Sequence, residues 1–203
     1  MYTHDTADNA LPLLVQQVSA GSQQAFRQLY HYFYQRLYHF AFSLIRTREH
    51  AEEIVEDVFI KLWHQRAGIT AIGNLKVYLY TATRNTALNY LERRARENSL
   101  LSFGEVDISL AEPGYSPEQL LITAEIYGKI RQAVEQLPPR CKLVFKLVRE
   151  DGLKYKEVAE VLGISINTID AQMAIAVQRI AEAVRKDFEQ LPARKAAQKK
   201  DAS

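Results

Sequence analysis

Arginines, amides and tyrosines are interleaved in "VYLYTATRNTALNYLERRAR", which carries Tyr78, Tyr80 and Tyr90 with Arg84, Asn85, Asn89, Arg93, Arg94 and Arg96. Guanidinium groups hold phosphates, aromatic rings stack on unpaired bases and amides bond to base edges, so this mixture suits single-stranded or distorted nucleic acid. The preceding "QRAGITAIGN" holds Gly68 and Gly73 and can shape a pocket beside it. An ordinary surface helix with tyrosines at its core edge uses the same residue types, and that alternative stays open.

The segment just upstream has the opposite sign. In "HAEEIVEDVFIKLWHQR", Ile54, Val58 and Leu62, flanked by Val55, form an apolar stripe, while Glu52, Glu56, Phe59 and Trp63 project from another side. Large aromatics on an acidic face are expected at an interface. Glu49, Glu52, Glu53, Glu56 and Asp57 point away from nucleic acid and toward a basic protein partner. The alternative is a solvated acidic face with Phe59 and Trp63 packed under a neighbouring helix.

A third pattern lies in "YKEVAEVLGISINTIDAQMAIAVQRI". Tyr155, Val158, Ala159 and Leu162 share one face, Gly163 suits a left-handed helix end, Ile164 is placed to plug the core, and Ser165 is a good N-cap. Ile169, Met173, Ala176, Val177, Ile180 and Val184 then form a second stripe. Two helices with complementary stripes and a short Gly turn make a helix-turn-helix, or else a plain helical hairpin. Opposite the second stripe lie Asn167, Ala171, Ala174, Ile175 and Gln178, with Thr168 and Asp170 flanking, a set that can read adenine and thymine edges. Phosphate anchoring falls to the rim: Lys154, Lys156, Arg179, Arg185 and Arg149.

Catalytic chemistry finds no support. The five histidines are scattered, no metal-binding or phosphate-cradling motif is present, and the adjacent Glu56 and Asp57 face different directions on a helix. The single cysteine, Cys141, gives neither a disulfide within the chain nor a cysteine-based zinc site. No cofactor, metal or small-molecule substrate is expected.

The elements that must position these residues are helical throughout. Apolar residues recur at three- and four-residue intervals over 23–45, with further helices over 50–64 and 74–94. The character changes in "ENSLLSFGEVDISLAEPGYSPEQ", acidic after its opening and broken by Gly104, Pro113, Gly114 and Pro117. Helical pattern resumes over 120–136, is cut by Pro138 and Pro139, and restarts at Arg140. The chain has 203 residues and a formal net charge of +2, a balance that hides separate acidic and basic blocks. No stretch is long and apolar enough to span a bilayer and no export signal is visible, so the cytoplasm is the simplest placement. The expected fold is all-α: two small helical domains joined by an extended linker. The divisions are an N-terminal segment (1–21), a first domain (22–96), an acidic linker (97–120), a helix-turn-helix domain (121–188) and a basic tail (189–203).

The succession "AEEIVEDVFIKLW", "VYLYTATRNTALNYLERR", an acidic linker and "LPPRCKLVFKLVREDGLKYKEVAEVLGIS" resembles the extracytoplasmic-function sigma factors of bacterial RNA polymerase, over about residues 22–186. The resemblance implies that 22–96 is sigma region 2 and 121–188 is region 4. It further implies that Glu53, Glu56, Asp57, Phe59 and Trp63 dock on core polymerase. Tyr80, Arg84, Asn85, Asn89 and Arg93 then open and read the −10 promoter element, with the 68–74 loop taking a flipped base. Lys154, Tyr155, Lys156, Asn167, Thr168, Ala171, Gln172 and Arg179 read the −35 element. The linker threads the polymerase channels, and an anti-sigma protein, often membrane-anchored, masks the polymerase-binding surfaces. Many members carry Lys or Arg where this chain has "DAQ" at 170–172, and often Asp where it has Asn89. The rivals are a stand-alone helix-turn-helix regulator that ignores polymerase, and a structural adaptor.

Asp170 offers a test on the reading helix itself. Asp170→Lys is expected to strengthen DNA binding non-specifically and to steepen its salt dependence. Titrating duplex DNA at several salt concentrations checks this, and an unchanged slope places Asp170 away from the phosphates.

Overall fold

The computed structural model describes residues 4–97 and 121–189, and the acidic linker and basic tail fall outside those residues. Among the described residues the elements are helices α1 (His4–Ser19), α2 (Gln23–Ile45), α3 (Arg48–His64), a 3-10 segment (Arg66–Ala71), α4 (Leu75–Glu97), α5 (Leu121–Glu135), α6 (Pro139–Arg149), α7 (Tyr155–Leu162) and α8 (Ile166–Glu189). The all-α expectation holds, and α2 starts and stops where its periodicity predicts.

α2 is the spine of the first unit. Ser22 caps its start, accepting from the Ala25 N–H at 3.2 Å. Leu29, Phe33, Leu37 and Phe40 then recur on one buried stripe. Each such side chain contributes about 2 kcal/mol on leaving water. α1, α3 and α4 pack around this spine. Arg46 ends α2 with a left-handed φ of 57°, a conformation that turns the chain sharply into α3.

α1 falls within 1–21, read from the sequence only as an N-terminal segment. It leans on α2 and on the 3-10 segment. Its Leu11, Leu14, Val15 and Val18 follow helical spacing and reach the core. That spacing is a signal the sequence does carry.

The second unit is α5 to α8. α5 and α6 both lie on α8, around a small core of Val134, Leu137, Cys141 and Ala176. Glu135 of α5 clasps Lys142 at 3.1 Å and Lys146 at 2.7 Å on α6. Burial opposes its ionisation, but the hydrogen bonds from the two lysines outweigh that and hold its carboxyl below the usual range. The helix-turn-helix forms as its caps predict. Gly163 ends α7 in the left-handed region with φ 66°, and Ser165 Oγ accepts the Thr168 N–H at 3.1 Å at the start of α8.

Two expected core positions lie elsewhere. Val177, assigned to the buried stripe of α8, is 49% exposed, and Ile164 is exposed at the turn instead of plugging the core. The buried stripe of α8 is narrow and runs through Ile169, Met173, Ala176 and the partly buried Ile180, which leaves Val177 on its open side.

The two units share one core. Leu147, Leu153, Val158, Val161 and Ile169 of the second belong to the same apolar cluster as Leu37, Phe40 and Leu79 of the first. α7 lies directly on α4.

Gly163 sits at this junction, where a Cβ would stand 3.2 Å from Arg84 Nη2. Gly163→Ala combines a strained positive φ with that crowding. It is expected to lower unfolding stability by about 1 to 2 kcal/mol, read from the denaturant midpoint.

Candidate nucleic-acid interface

On α3, Glu52, Glu53, Glu56 and Asp57 are exposed, and the 53, 56, 57 spacing places three carboxylates on one helical face. His50 Nδ1 lies 3.3 Å from Glu53 at its edge. Phe59 is not on this face, which corrects its placement there. It is 2% exposed, with its ring 4.8 Å from that of Tyr30 and edge-on to Phe26 at 6.0 Å. α3 buries a wide arc because α2, α4 and the 3-10 segment all touch it, and Phe59 falls within that arc. Trp63 is half-buried, its ring tilted against that of Phe26 at 4.9 Å and covered by the Arg66 guanidinium at 4.7 Å.

Sequence reading overlooked what flanks the acids. Tyr30, Tyr34, Tyr38 and Phe42 follow one another at four-residue spacing along α2, each ring next to the last. Burial, then the nearby Glu56, pushes the Tyr30 phenol up. Tyr34 is raised in the same way by burial and by its neighbours Tyr30, Glu52 and Glu56. A repeat of aromatics every fourth residue was the available signal.

α4 begins on Asn74, whose Oδ1 accepts the Val77 N–H at 3.2 Å. The loop before it is anchored by the buried Ile69 and braced from both sides. Ser19 Oγ donates to Ala67 O at 3.4 Å, and Arg66 Nη1 donates to Trp63 O at 3.1 Å. Gly68 and Gly73 stay open, with nothing near their missing Cβ positions. Asn85, Asn89 and Arg93 are exposed along α4, and Arg84 is half-buried against Gly163.

Tyr80 departs from the expected exposed row. It is 0% exposed, with its ring 5.2 Å from Phe40. α2 covers one side and the turn after α6 covers the other, bringing Asp151 and Arg36 to its hydroxyl. Burial first, and the Asp151 charge second, push the phenol far above its ordinary value.

On the helix-turn-helix, Lys154, Lys156, Asn167, Thr168, Ala171 and Arg179 are exposed, and Tyr155 is half-buried. Thr168 Oγ1 lies 2.8 Å from Ser165 Oγ, within the cap. Gln172 turns inward, its Oε1 accepting from Cys141 Sγ at 2.8 Å. In this arrangement its amide oxygen holds α6 to α8. Ile166, Ile175 and Val177 stand out of the same helix as exposed apolar side chains.

Comparison with known proteins completes the description. A family model for sigma-70 region 2 matches residues 29–97, and one for sigma-70, region 4 matches residues 127–180, together more than half of the chain. An RNA polymerase sigma-H factor from Pseudomonas aeruginosa is 23% identical over 178 residues, taking in 85% of this chain and 92% of that protein. An ECF RNA polymerase sigma-E factor from Escherichia coli is 23% identical over 179 residues, covering 85% and 93%. The chain is an extracytoplasmic-function sigma factor. It directs promoter-specific transcription initiation by core RNA polymerase, and the stand-alone regulator is not favoured.

The fold of this sigma factor is similar to that of the sigma factor RpoE crystallised with the anti-sigma factor NepR from Bartonella quintana. The TM-score is 0.55 at 25% identity, with 80% of this chain and 98% of that chain covered. A structure of CnrH with the cytosolic domain of CnrY has the same fold, at TM-score 0.51, 20% identity and coverage of 87% and 97%. α3 and α4 lie within the region 2 match, and α7 and the first part of α8 within the region 4 match. α1, which braces the loop before α4, precedes both.

Asp151, in the turn after α6 that faces the first unit, has the most displaced carboxyl among the described residues. Burial raises its carboxyl to about 6, against the lowering influence of Tyr80 and Arg36. A raised acid is neutral and easily buried at low pH, and its stabilising contribution is lost as pH rises through that value. Asp151→Asn is therefore expected to raise stability near neutral pH by up to about 2 kcal/mol and to flatten the decline between its ordinary 3.8 and about 6. Thermal unfolding across that range checks it.

Proposed function

We propose that α4 and the 3-10 loop before it form the −10-reading surface of this sigma factor, that the α3 acidic face docks on core polymerase, and that α7–α8 read the −35 element. The supporting observation is the segregation of charge on adjacent helices. Glu53, Glu56 and Asp57 are exposed on α3, while Asn85, Asn89 and Arg93 are exposed on α4. One unit thus offers an acidic face to a basic protein and a basic, amide-rich face to nucleic acid. Trp63 stiffens the link between them through its stack with Arg66 at the start of the loop.

In this reading the −35 contacts come from Lys154, Lys156, Asn167, Thr168, Ala171 and Arg179, with Tyr155 at the rim. The reading helix is poor in charge and binds weakly alone, and polymerase supplies the effective concentration. The protein works in the cytoplasm and contributes binding and strand opening, not bond-making chemistry. The similar sigma factor RpoE crystallised with the anti-sigma factor NepR supports an anti-sigma partner here, covering the α3 acidic face with its flanking tyrosines.

Run-off transcription with core polymerase and a promoter library is the test. Wild type should select a subset of promoters. Glu56→Lys should weaken capture by core polymerase about tenfold, since reversing a charge at a complementary interface repels the partner. Arg84→Ala should leave capture intact and reduce promoter opening. Absence of promoter selection, or loss of capture with Arg84→Ala, overturns the assignment of these surfaces.

A further inference from the structure

We propose that α8 chooses its DNA by methyl groups: thymine C5-methyls of the −35 element pack on a row formed by Thr168, Ala171 and Ile175, beside the solvent-facing amide of Asn167. The inference rests on the assignment of α7–α8 to the −35 element and names the base chemistry that this surface accepts.

The residue types on the reading face of α8 allow several chemistries, and the hydrogen bonds of the fold narrow them. Gln172 is turned inward, its Oε1 accepting from Cys141 Sγ at 2.8 Å. Gln178 Nε2 donates along the helix to Glu182 Oε1 at 2.9 Å. The Thr168 hydroxyl lies 2.8 Å from Ser165 Oγ in the cap, so its methyl is the part left for a ligand. Two amides and a hydroxyl that could read base edges are thus occupied within the protein. Left on that face are Asn167 and the methyl-bearing Ala171, Ala174 and Ile175, all exposed.

Residues 168, 171 and 175 follow the spacing of one helical ridge. Asn167 to Ile175 is a step of eight residues, about 12 Å of helix and the width of a major groove. Ile175 is 40% exposed, a large aliphatic side chain held in water at the far end of that ridge. Among the four bases only thymine presents a methyl in the major groove, and apolar contact is how it is recognised.

Guanine is disfavoured for a separate reason. Its O6 and N7 are both acceptors, read by Arg or Lys, and neither residue occurs from Asn167 to Gln178. Asp170, exposed at the other edge of the face, sets a carboxylate against those same acceptors. The cations stand at the rim. Lys154 and Lys156 at the start of α7, and Arg179 beyond Ile175, are exposed and placed for phosphates. Glu157 closes that start: one oxygen accepts the Lys154 N–H at 2.8 Å, and the other accepts from Asn74 Nδ2 at 2.8 Å. An apolar row rimmed by cations suits the groove of a duplex.

The test uses the full-length chain bound to core polymerase and a library of promoter duplexes. The upstream element of the selected promoters should be rich in A·T pairs. It is then rebuilt with deoxyuridine for thymidine, which removes the methyl and keeps the pairing. Each contacted thymine changed to uracil should weaken binding about fourfold, the factor for withdrawing one buried methyl. The same change in the spacer should have no effect. Ile175→Ala should shrink the loss at one position to less than about twofold, because the methyl there has lost its partner.

An upstream element dominated by guanine, or one in which uracil serves as well as thymine throughout, overturns the methyl reading while the −35 assignment stands. A uracil penalty that Ile175→Ala leaves at full size overturns the role of the row. If Ile175→Ala abolishes capture by core polymerase, the row is a protein-docking surface and the proposal falls. A library that yields no upstream element at all overturns the −35 assignment of α7–α8 itself.

Discussion

Two helical units, each short of a core of its own, are held together by the seating of α7 on α4. Domains of this size bury a modest fraction of their surface and are correspondingly marginal. Val158, Val161 and Leu153 complete the first unit's cluster while belonging to the second. Everything near the junction follows from that sharing. Tyr80 is buried, Arg84 is pressed against a glycine, and Asp151 sits where water cannot fully solvate it. One side of α4 is thereby made part of an interior.

The first unit resolves a conflict between stability and exposure. α3 must present carboxylates on one face and pack an aromatic-rich α2 on another. It does so by burying Phe59 among Phe26 and Tyr30 while Glu53, Glu56 and Asp57 stay outside. The loop before α4 leaves open space at its glycines and is braced on several sides. Ile69 below, α1 beside and the Arg66–Trp63 stack behind hold its backbone without filling the space at Gly68 and Gly73.

How far the fold is legible in the sequence depends on the range of the interaction. Local signals read true: Gly163, Ser165, the double proline at the start of α6 and the stripe of α2 each name a boundary or a face, because caps and periodicity are settled within a few residues. Faces of a helix touched from several sides read poorly. Phe59 lies one position from the Val58 stripe, and only the number of neighbours around α3 decides whether it is inside. Val177 fails the opposite way, next to the buried Ala176 but turned to the open side of a narrow stripe. Contacts across the linker are not legible at all. Asn74 and Glu157 stand 83 residues apart, and nothing local in either segment announces the other.

Asn74 carries two messages in one side chain. Its oxygen serves the helix it begins, and its nitrogen serves a helix far along the chain. An aspartate has the same shape and is as good an N-cap, so by local criteria the two residues are synonyms. They differ by one atom, which turns a donor facing Glu157 into an acceptor. A substitution that every propensity scale scores as silent would thus leave each helix standing and cut the conversation between them.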